Sequence, residues 1–230
     1  FVASALFLLL PLSTVTAYSS TTGSYTIDFP EGWYVDETEY IVTAYPELEA
    51  MYGYIQISEV SYTELFSEIS SDLEDWPSTQ EDFIKGFLSD EYRDKIRSSL
   101  ESGLGLNIIF NKSEVDYINT FKVASLYFEV KNLNMSIKQY NVPLYDKYIA
   151  IMTLSDMDNP EIVQTISESL GTIKWGDEER QIINPSVNVV ETTQGESFFQ
   201  ALKNAFFERF TFLLVVVSVL SAFTFLRNRK

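Results

Sequence analysis

The stretch Tyr148–Leu154, YIAIMTL, is apolar at every position but Thr153 and shows no alternation. A strand with one wet face alternates with a period of two, whereas a continuous apolar run of this length reads as a central strand covered on both sides. Such a strand cannot stand alone. The chain must pair it on both edges and place packing elements above and below the sheet.

Neighbouring segments supply the pairing. Tyr25, Ile27 and Phe29 alternate with Thr26 and Asp28, and Pro30-Glu31-Gly32 then turns the chain toward Trp33-Tyr34-Val35, which predicts an opening hairpin. Ile41–Tyr45 and Tyr54–Val60 are further strands, as are Leu106–Phe110 and Tyr117–Val130, the last with Ala124, Leu126, Phe128 and Val130 on one face. Lys131-Asn132-Leu133-Asn134 is turn chemistry, and Met135–Val142 returns antiparallel to the strand before it. Helices are signalled with equal clarity. Ser61-Tyr62-Thr63-Glu64 has capping-box spacing, with Leu65, Phe66, Ile69 and Leu73 on one face. A second start signal at Pro77–Glu81 opens a three-and-four spacing from Ile84 to Leu104, as one long helix or as two broken near Ser89-Asp90, with Gly103 and Gly105 to stop it. Asn159 as N-cap and Pro160 in the first turn begin a third helix, and Ile173-Lys174-Trp175 closes the pattern.

The two ends read differently. Phe210–Leu226 carries no charge and is followed by Arg227, Arg229 and Lys230, so it is expected to cross a membrane with the cationic tail in the cytoplasm. Residues 1–17 read as a signal peptide entered partway, since the chain opens at Phe1 and Val15-Thr16-Ala17 has the small-x-small pattern of a cleavage site; an uncleaved second membrane helix is the alternative. Between them lie an extracytoplasmic domain over 18–176, a linker over 177–195, and an interfacial and transmembrane helix over 196–226 that precedes the 227–230 tail. The expected location is the plasma membrane, crossed once.

Tyr18–Gly176 holds 27 Asp and Glu against 10 Lys and Arg, so the whole formal charge of −17 resides in the outer domain. That sign argues against nucleic acid and points to a protein or surface ligand with a basic face. The chain has no cysteine and no histidine. Catalysis by Ser-His-Asp or Cys-His, imidazole or thiolate metal sites and thiol redox chemistry are thereby excluded, and a disulfide-free outer domain favours a bacterial cell surface. Asn111-Lys-Ser113 and Asn134-Met-Ser136 match the glycosylation triplet by chance on this reading.

The opening Ser24-Tyr25-Thr26-Ile27-Asp28-Phe29-Pro30-Glu31-Gly32-Trp33 and the close, Glu161 through Ser167 and Leu170 to Ile173-Lys174-Trp175, resemble the PsbP/Mog1-like domains, as does the strand cluster Ile118–Leu154 between them. The resemblance implies an α+β fold in which an antiparallel sheet is sandwiched between helices, α/β/α, and a role in docking to a larger partner without catalysis. The helical stretch near Ser61–Gly105 and the C-terminal span depart from that pattern. No binding residue and no cofactor is carried over.

Asp72, Glu74, Asp75 and Trp76, with Glu81 and Asp82, form the densest acidic patch and are the candidate partner contact; the competing reading is a loop whose acids favour the next helix N-terminus. Asp156, Asp158 and Glu161 lack the glycine and spacing of a calcium loop and read as helix capping. Trp33 reads as core packing. The expected function is a non-enzymatic, membrane-anchored binding domain. The alternatives are a carboxylate-based glycan hydrolase, which needs two acids facing across a cleft, and a subunit of a membrane assembly.

Overall fold

The computed structural model describes residues 16–38, 41–46, 53–61, 79–131, 133–144 and 147–176. Among the described residues ten strands and three helices follow in the order β1 Thr16–Ser19, β2 Tyr25–Phe29, β3 Trp33–Glu37, β4 Ile41–Pro46, β5 Gly53–Ser61, α1 Gln80–Phe87, α2 Asp90–Leu104, β6 Ile108–Ile118, β7 Phe121–Val130, β8 Met135–Pro143, β9 Lys147–Asp156, α3 Pro160–Gly171 and β10 Lys174–Trp175. The strands make two antiparallel sheets. One has seven strands in the order β3-β4-β5-β9-β8-β7-β6; the other has three, β1-β2-β10.

Strand β9, which contains Tyr148–Leu154, stands in the middle of the large sheet between β5 and β8. Ala150 and Met152 point to one face and Ile149 and Ile151 to the other, and all four are buried. On the first face lie Phe83, Ile84 and Phe87 of α1 and Tyr92, Ile96 and Leu100 of α2, packed over Ala124, Leu126, Phe128, Ile137, Ala150 and Met152. The Phe87 ring meets Tyr92 edge-on at 4.9 Å between centroids, which locks the two helices together at their junction. The second face is covered by Ile166 and Leu170 of α3 and by Tyr25, Ile27, Phe29 and Trp175 of the small sheet, over Val42, Ala44, Ile55, Ile57, Val142, Ile149 and Ile151.

The fold is therefore α+β, with helices on both faces as the two-sided strand requires. One face, however, is shared between α3 and a second sheet, which the strand pattern alone does not foretell. That second sheet also corrects the opening hairpin. The turn at Pro30 forms, with the Trp33 N–H donating to the Pro30 carbonyl at 3.2 Å, but β2 and β3 leave it into different sheets. A second correction concerns β6, which is one strand from Ile108 to Ile118 where two segments were expected; the break falls at Asn119, in the left-handed conformation with φ 55°.

Helix ends follow their signals. Ser89 caps α2 by accepting from the Tyr92 N–H, which separates α1 from α2, and Gly105 ends α2 with φ 63°. Asn159 caps α3 with Pro160 in the first turn. Trp33 is half-buried against the second core, and β10 pairs with β2. Of the expected helix at Ser61–Leu73, Ser61 ends β5 and the rest lies outside the described residues, as do residues 1–15, the linker and the expected membrane helix. Among the described residues no helix is long and apolar enough to cross a membrane. The expected processing site Ala17 lies within β1, opposite Asp28.

Candidate functional site

On the face that carries the small sheet, the cover ends partway along β6, β7 and β8. Ile118, Val123, Tyr140 and Val142 are buried, whereas Asp116, Glu114, Tyr127, Glu129, Ser136 and Lys138 on the same face are only half-buried. A bulge brings the β6 residues there. The pairing of β6 with β7 slips by one residue at Asn111, so that Lys112 stands opposite Tyr127, Glu114 opposite Ser125 and Asp116 opposite Val123. Without that extra residue a period-two strand would send Lys112, Glu114 and Asp116 to the helix-covered side.

Lys138 is the centre of this open stretch. Its Nζ lies 2.9 Å from Asp116 Oδ2 and sits over two rings, 4.5 Å from the Tyr127 centroid and 4.3 Å from that of Tyr140. Asp116 also accepts from the Tyr117 N–H at 2.8 Å, the Tyr127 hydroxyl at 3.2 Å and the Ser125 hydroxyl at 3.3 Å. Lys112 Nζ reaches Glu114 at 2.7 Å and the Tyr127 ring at 4.5 Å. Burial alone would raise the Asp116 carboxyl, but the Lys138 hydrogen bond and the Tyr117 N–H outweigh it and hold it below the ordinary aspartate range. The hydrogen bond from Lys112 does the same for Glu114. Burial lifts the hydroxyls of Tyr127 and Tyr140 well above their usual value.

These carboxyls and hydroxyls are thus driven away from neutrality in opposite directions, and a general acid or base works best near the operating pH. The arrangement is instead a surface of two lysine–carboxylate ion pairs with Glu129 beside them, the pairs ordered by hydrogen bonds and by aromatic faces. Beside it, on the other side of edge strand β6, Val115 and Tyr117 are exposed.

Of the expected contact residues, Asp72, Glu74, Asp75 and Trp76 lie outside the described residues. Glu81 and Asp82 occupy the first turn of α1. Asp82 Oδ2 accepts from the Thr79 hydroxyl at 2.8 Å while Thr79 caps the Asp82 N–H, and Glu81 pairs with Lys122 at 2.9 Å. Both acids therefore favour a helix start, the competing reading of that patch. Asp156 accepts from the Asp158 N–H at 2.8 Å in the turn that leads to the α3 cap, and among the described residues no group of acids is placed to hold a metal ion. The anchor residues Phe210, Leu226, Arg227, Arg229 and Lys230 lie outside the described residues.

One cluster had no signal in the sequence. Lys147 Nζ lies 3.2 Å from Glu59 Oε1 and donates to Ser24 Oγ at 2.7 Å; the Ser24 and Thr22 hydroxyls both donate to the same Glu59 oxygen. A serine beside a lysine is a nucleophile arrangement in some hydrolases. Here Ser24 is 2% exposed, and both its proton and the Lys147 ammonium are committed to one carboxylate, so neither access nor a base is provided. The cluster pins the β1–β2 loop to the large sheet.

No family model and no curated protein matches this chain. Among solved structures it is similar to the cyanobacterial PsbP (CyanoP) of Synechocystis, with 13% identity, a TM-score of 0.47, and coverage of 72% of this chain and 95% of that one. It is similar also to the Ran-binding protein Mog1p of Saccharomyces cerevisiae, with 10% identity, a TM-score of 0.41, and coverage of 72% and 97%. A Bacteroides thetaiotaomicron protein matches with 11% identity and a TM-score of 0.41 over 70% of this chain and 48% of its own, so the present chain spans about half its length.

Proposed function

We propose that this chain is a non-enzymatic docking module, held at the outer face of the plasma membrane by Phe210–Leu226, which binds a protein or surface ligand through the open stretch of the large sheet. The observation that carries the reading is the Asp116–Lys138–Tyr127 group, a half-buried ion pair between two aromatic faces at the centre of a sheet face that its own cover leaves bare. Such a group is ordered before a partner arrives, which lowers the entropy lost on binding. Aromatic side chains and a paired lysine also offer a partner both apolar area and hydrogen bonds. The excess of 17 negative charges over the outer domain favours encounter with a basic face.

Two measurements test the parts of this reading separately. Protease added to intact cells is expected to remove the outer domain and leave a short membrane fragment; a fully protected domain would reverse the topology. For docking, the full chain is cross-linked on cells beside the variants Lys138→Ala and Tyr127→Ala. Partners captured by the native chain and lost with both variants support the open face, whereas an unchanged capture profile places docking elsewhere.

A further inference from the structure

The helix-covered face of the large sheet buries a group of polar side chains that neither packing nor docking accounts for. Register sets Thr43, Gln56, Met152, Gln139 and Leu126 in one row across β4, β5, β9, β8 and β7; beside it runs the row Ile41, Ser58, Ala150, Asn141 and Ala124. Within these rows Gln56 is 1% exposed, Ser58 5%, and Gln139 and Asn141 0%. Four polar side chains have been taken into the interior of the central strands.

Part of the group satisfies itself. Gln139 Nε2 donates to Asn141 Oδ1 at 2.9 Å and to the Tyr92 hydroxyl at 3.3 Å, Tyr92 donates to Asn141 Oδ1 at 3.1 Å, and Asn141 Nδ2 donates to the Ala124 carbonyl at 3.3 Å. Among the described residues the remainder has no partner: Gln56 Nε2, Gln56 Oε1, Ser58 Oγ and Gln139 Oε1. Buried polar atoms are nearly always paired, and an orphan in the middle of a sheet calls for a physical cause. Here Gln56 and Ser58 are neighbours on one face of β5, and Gln139 stands two strands away on the same face with Met152 between. Adjacent strands stand about 4.8 Å apart, so Ser58 and Asn141 are separated by about 10 Å with only the Ala150 methyl between them. Phe83, Phe87 and Tyr92 share a core cluster with Ala150 and Met152 and supply apolar walls.

The chemistry of the free atoms narrows what fits. The Gln56 amide offers a donor and an acceptor side by side, which is the complement of a cis-amide edge, the C=O and N–H of a primary carboxamide or lactam. Ser58 Oγ can give or take one bond more, and Gln139 Oε1 accepts. Neither row contains a carboxylate or an ammonium, so the site suits an uncharged guest.

We propose that Gln56, Ser58 and Gln139 form an internal binding site for a small uncharged molecule that presents a cis-amide edge. The inference is independent of the docking reading, since the two sites lie on opposite faces of the sheet.

The test follows the side-chain amide NMR signals of Gln56 and Gln139 in the full chain during titration with acetamide and 2-pyrrolidinone, with sodium acetate and glycerol as controls. Both signals are expected to shift saturably with the two amides and not with the controls. Gln56→Leu is expected to weaken acetamide binding, read at Gln139, about tenfold or more, and Ser58→Ala severalfold. Because Gln56→Leu replaces an unpaired amide by an apolar near-isostere, the fold is expected to persist, which the backbone spectrum verifies. Shifts that fail to saturate, an equal response to glycerol, or unchanged acetamide binding in Gln56→Leu would overturn the proposal and leave internal water as the guest.

Discussion

Lys147 and Lys138 stand on the same face of the same sheet, each with a carboxylate and hydroxyl groups around it, and they differ chiefly in cover. Lys147 and Glu59 have 11% and 13% of their side chains exposed, beneath the β1–β2 loop; Lys138 and Asp116 have 24% and 31%, beyond the edge of that cover. The Lys147 pair shares its carboxylate with Ser24 and Thr22, so that its hydrogen bonds join two sheets. Among the described residues the Lys138 pair draws on β6, β7 and β8, and it leaves the Tyr127 ring half-exposed while Tyr140 is buried. Similar ionic chemistry thus holds the architecture together at one place and presents a prepared surface at the other. The depth of the cover decides which, because desolvation makes an unpaired charge costly only where water cannot return.

The sharpest way to break this comparison is to remove each lysine in turn. Lys147→Met leaves Glu59 without its cation in a nearly dry site and is expected to cost about 3–5 kcal/mol, read as a lowered urea midpoint. Hydrogen exchange should rise first at Ser24 and Tyr25, whose N–H groups are held by Ser20 Oγ within the pinned loop. A loss below about 1 kcal/mol would mean that the loop is held by its apolar contacts and not by the ion pair.

Lys138→Met is expected to cost about 1 kcal/mol, the scale of a partly exposed pair with its aromatic contacts, while it removes partner binding. A stability loss equal to that of Lys147→Met would erase the distinction between the two sites. Intact partner binding in a stable Lys138→Met protein would remove the open face from the docking reading.

Legibility in the sequence follows the same division between local and distant chemistry. The two-sided burial of β9 was visible because YIAIMTL states it residue by residue, and the cap at Asn159 was visible because a cap is a four-residue matter, whereas the break near Ser89-Asp90 stood as one of two readings. The turn at Pro30 was legible too, but not where its strands go: turn chemistry fixes a reversal and does not choose a sheet. The small sheet escaped for a similar reason, since β10 is only Lys174 and Trp175 and finds β2 across most of the chain. The candidate site depends on one extra residue at Asn111, which changes the parity of β6, and a single-residue bulge leaves no mark in a pattern as mixed as FNKSEVDY. The Lys147 cluster joins residues as far as 123 positions apart, and nothing local marks them as partners. Of the acids that sequence density singled out, the two described ones, Glu81 and Asp82, stand in the first turn of α1.

The smallest expected effect is also the most specific to the open site. Hydrogen bonding from Lys138 and Tyr117 holds the Asp116 carboxyl below its ordinary value in the folded protein, against the opposing pull of burial. A carboxyl with a depressed folded pKa adds stability that is present above its unfolded value, near about 3.9, and is lost as the pH falls through the folded value. Protonation then leaves Lys138 without its counter-ion between the two tyrosine rings. Acidification from neutrality to below about pH 4 is therefore expected to lower the melting temperature more in the native protein than in Asp116→Asn. That variant can keep the Tyr117 N–H bond to its side-chain oxygen but has no charge to lose. If the two proteins lose the same amount, the ion pair contributes nothing measurable, and Lys138 is held by the rings of Tyr127 and Tyr140. Raised salt discriminates further: it should weaken the Asp116 contribution and leave the aromatic contacts nearly unchanged, because screening acts on the partly exposed charges and not on packed carbon.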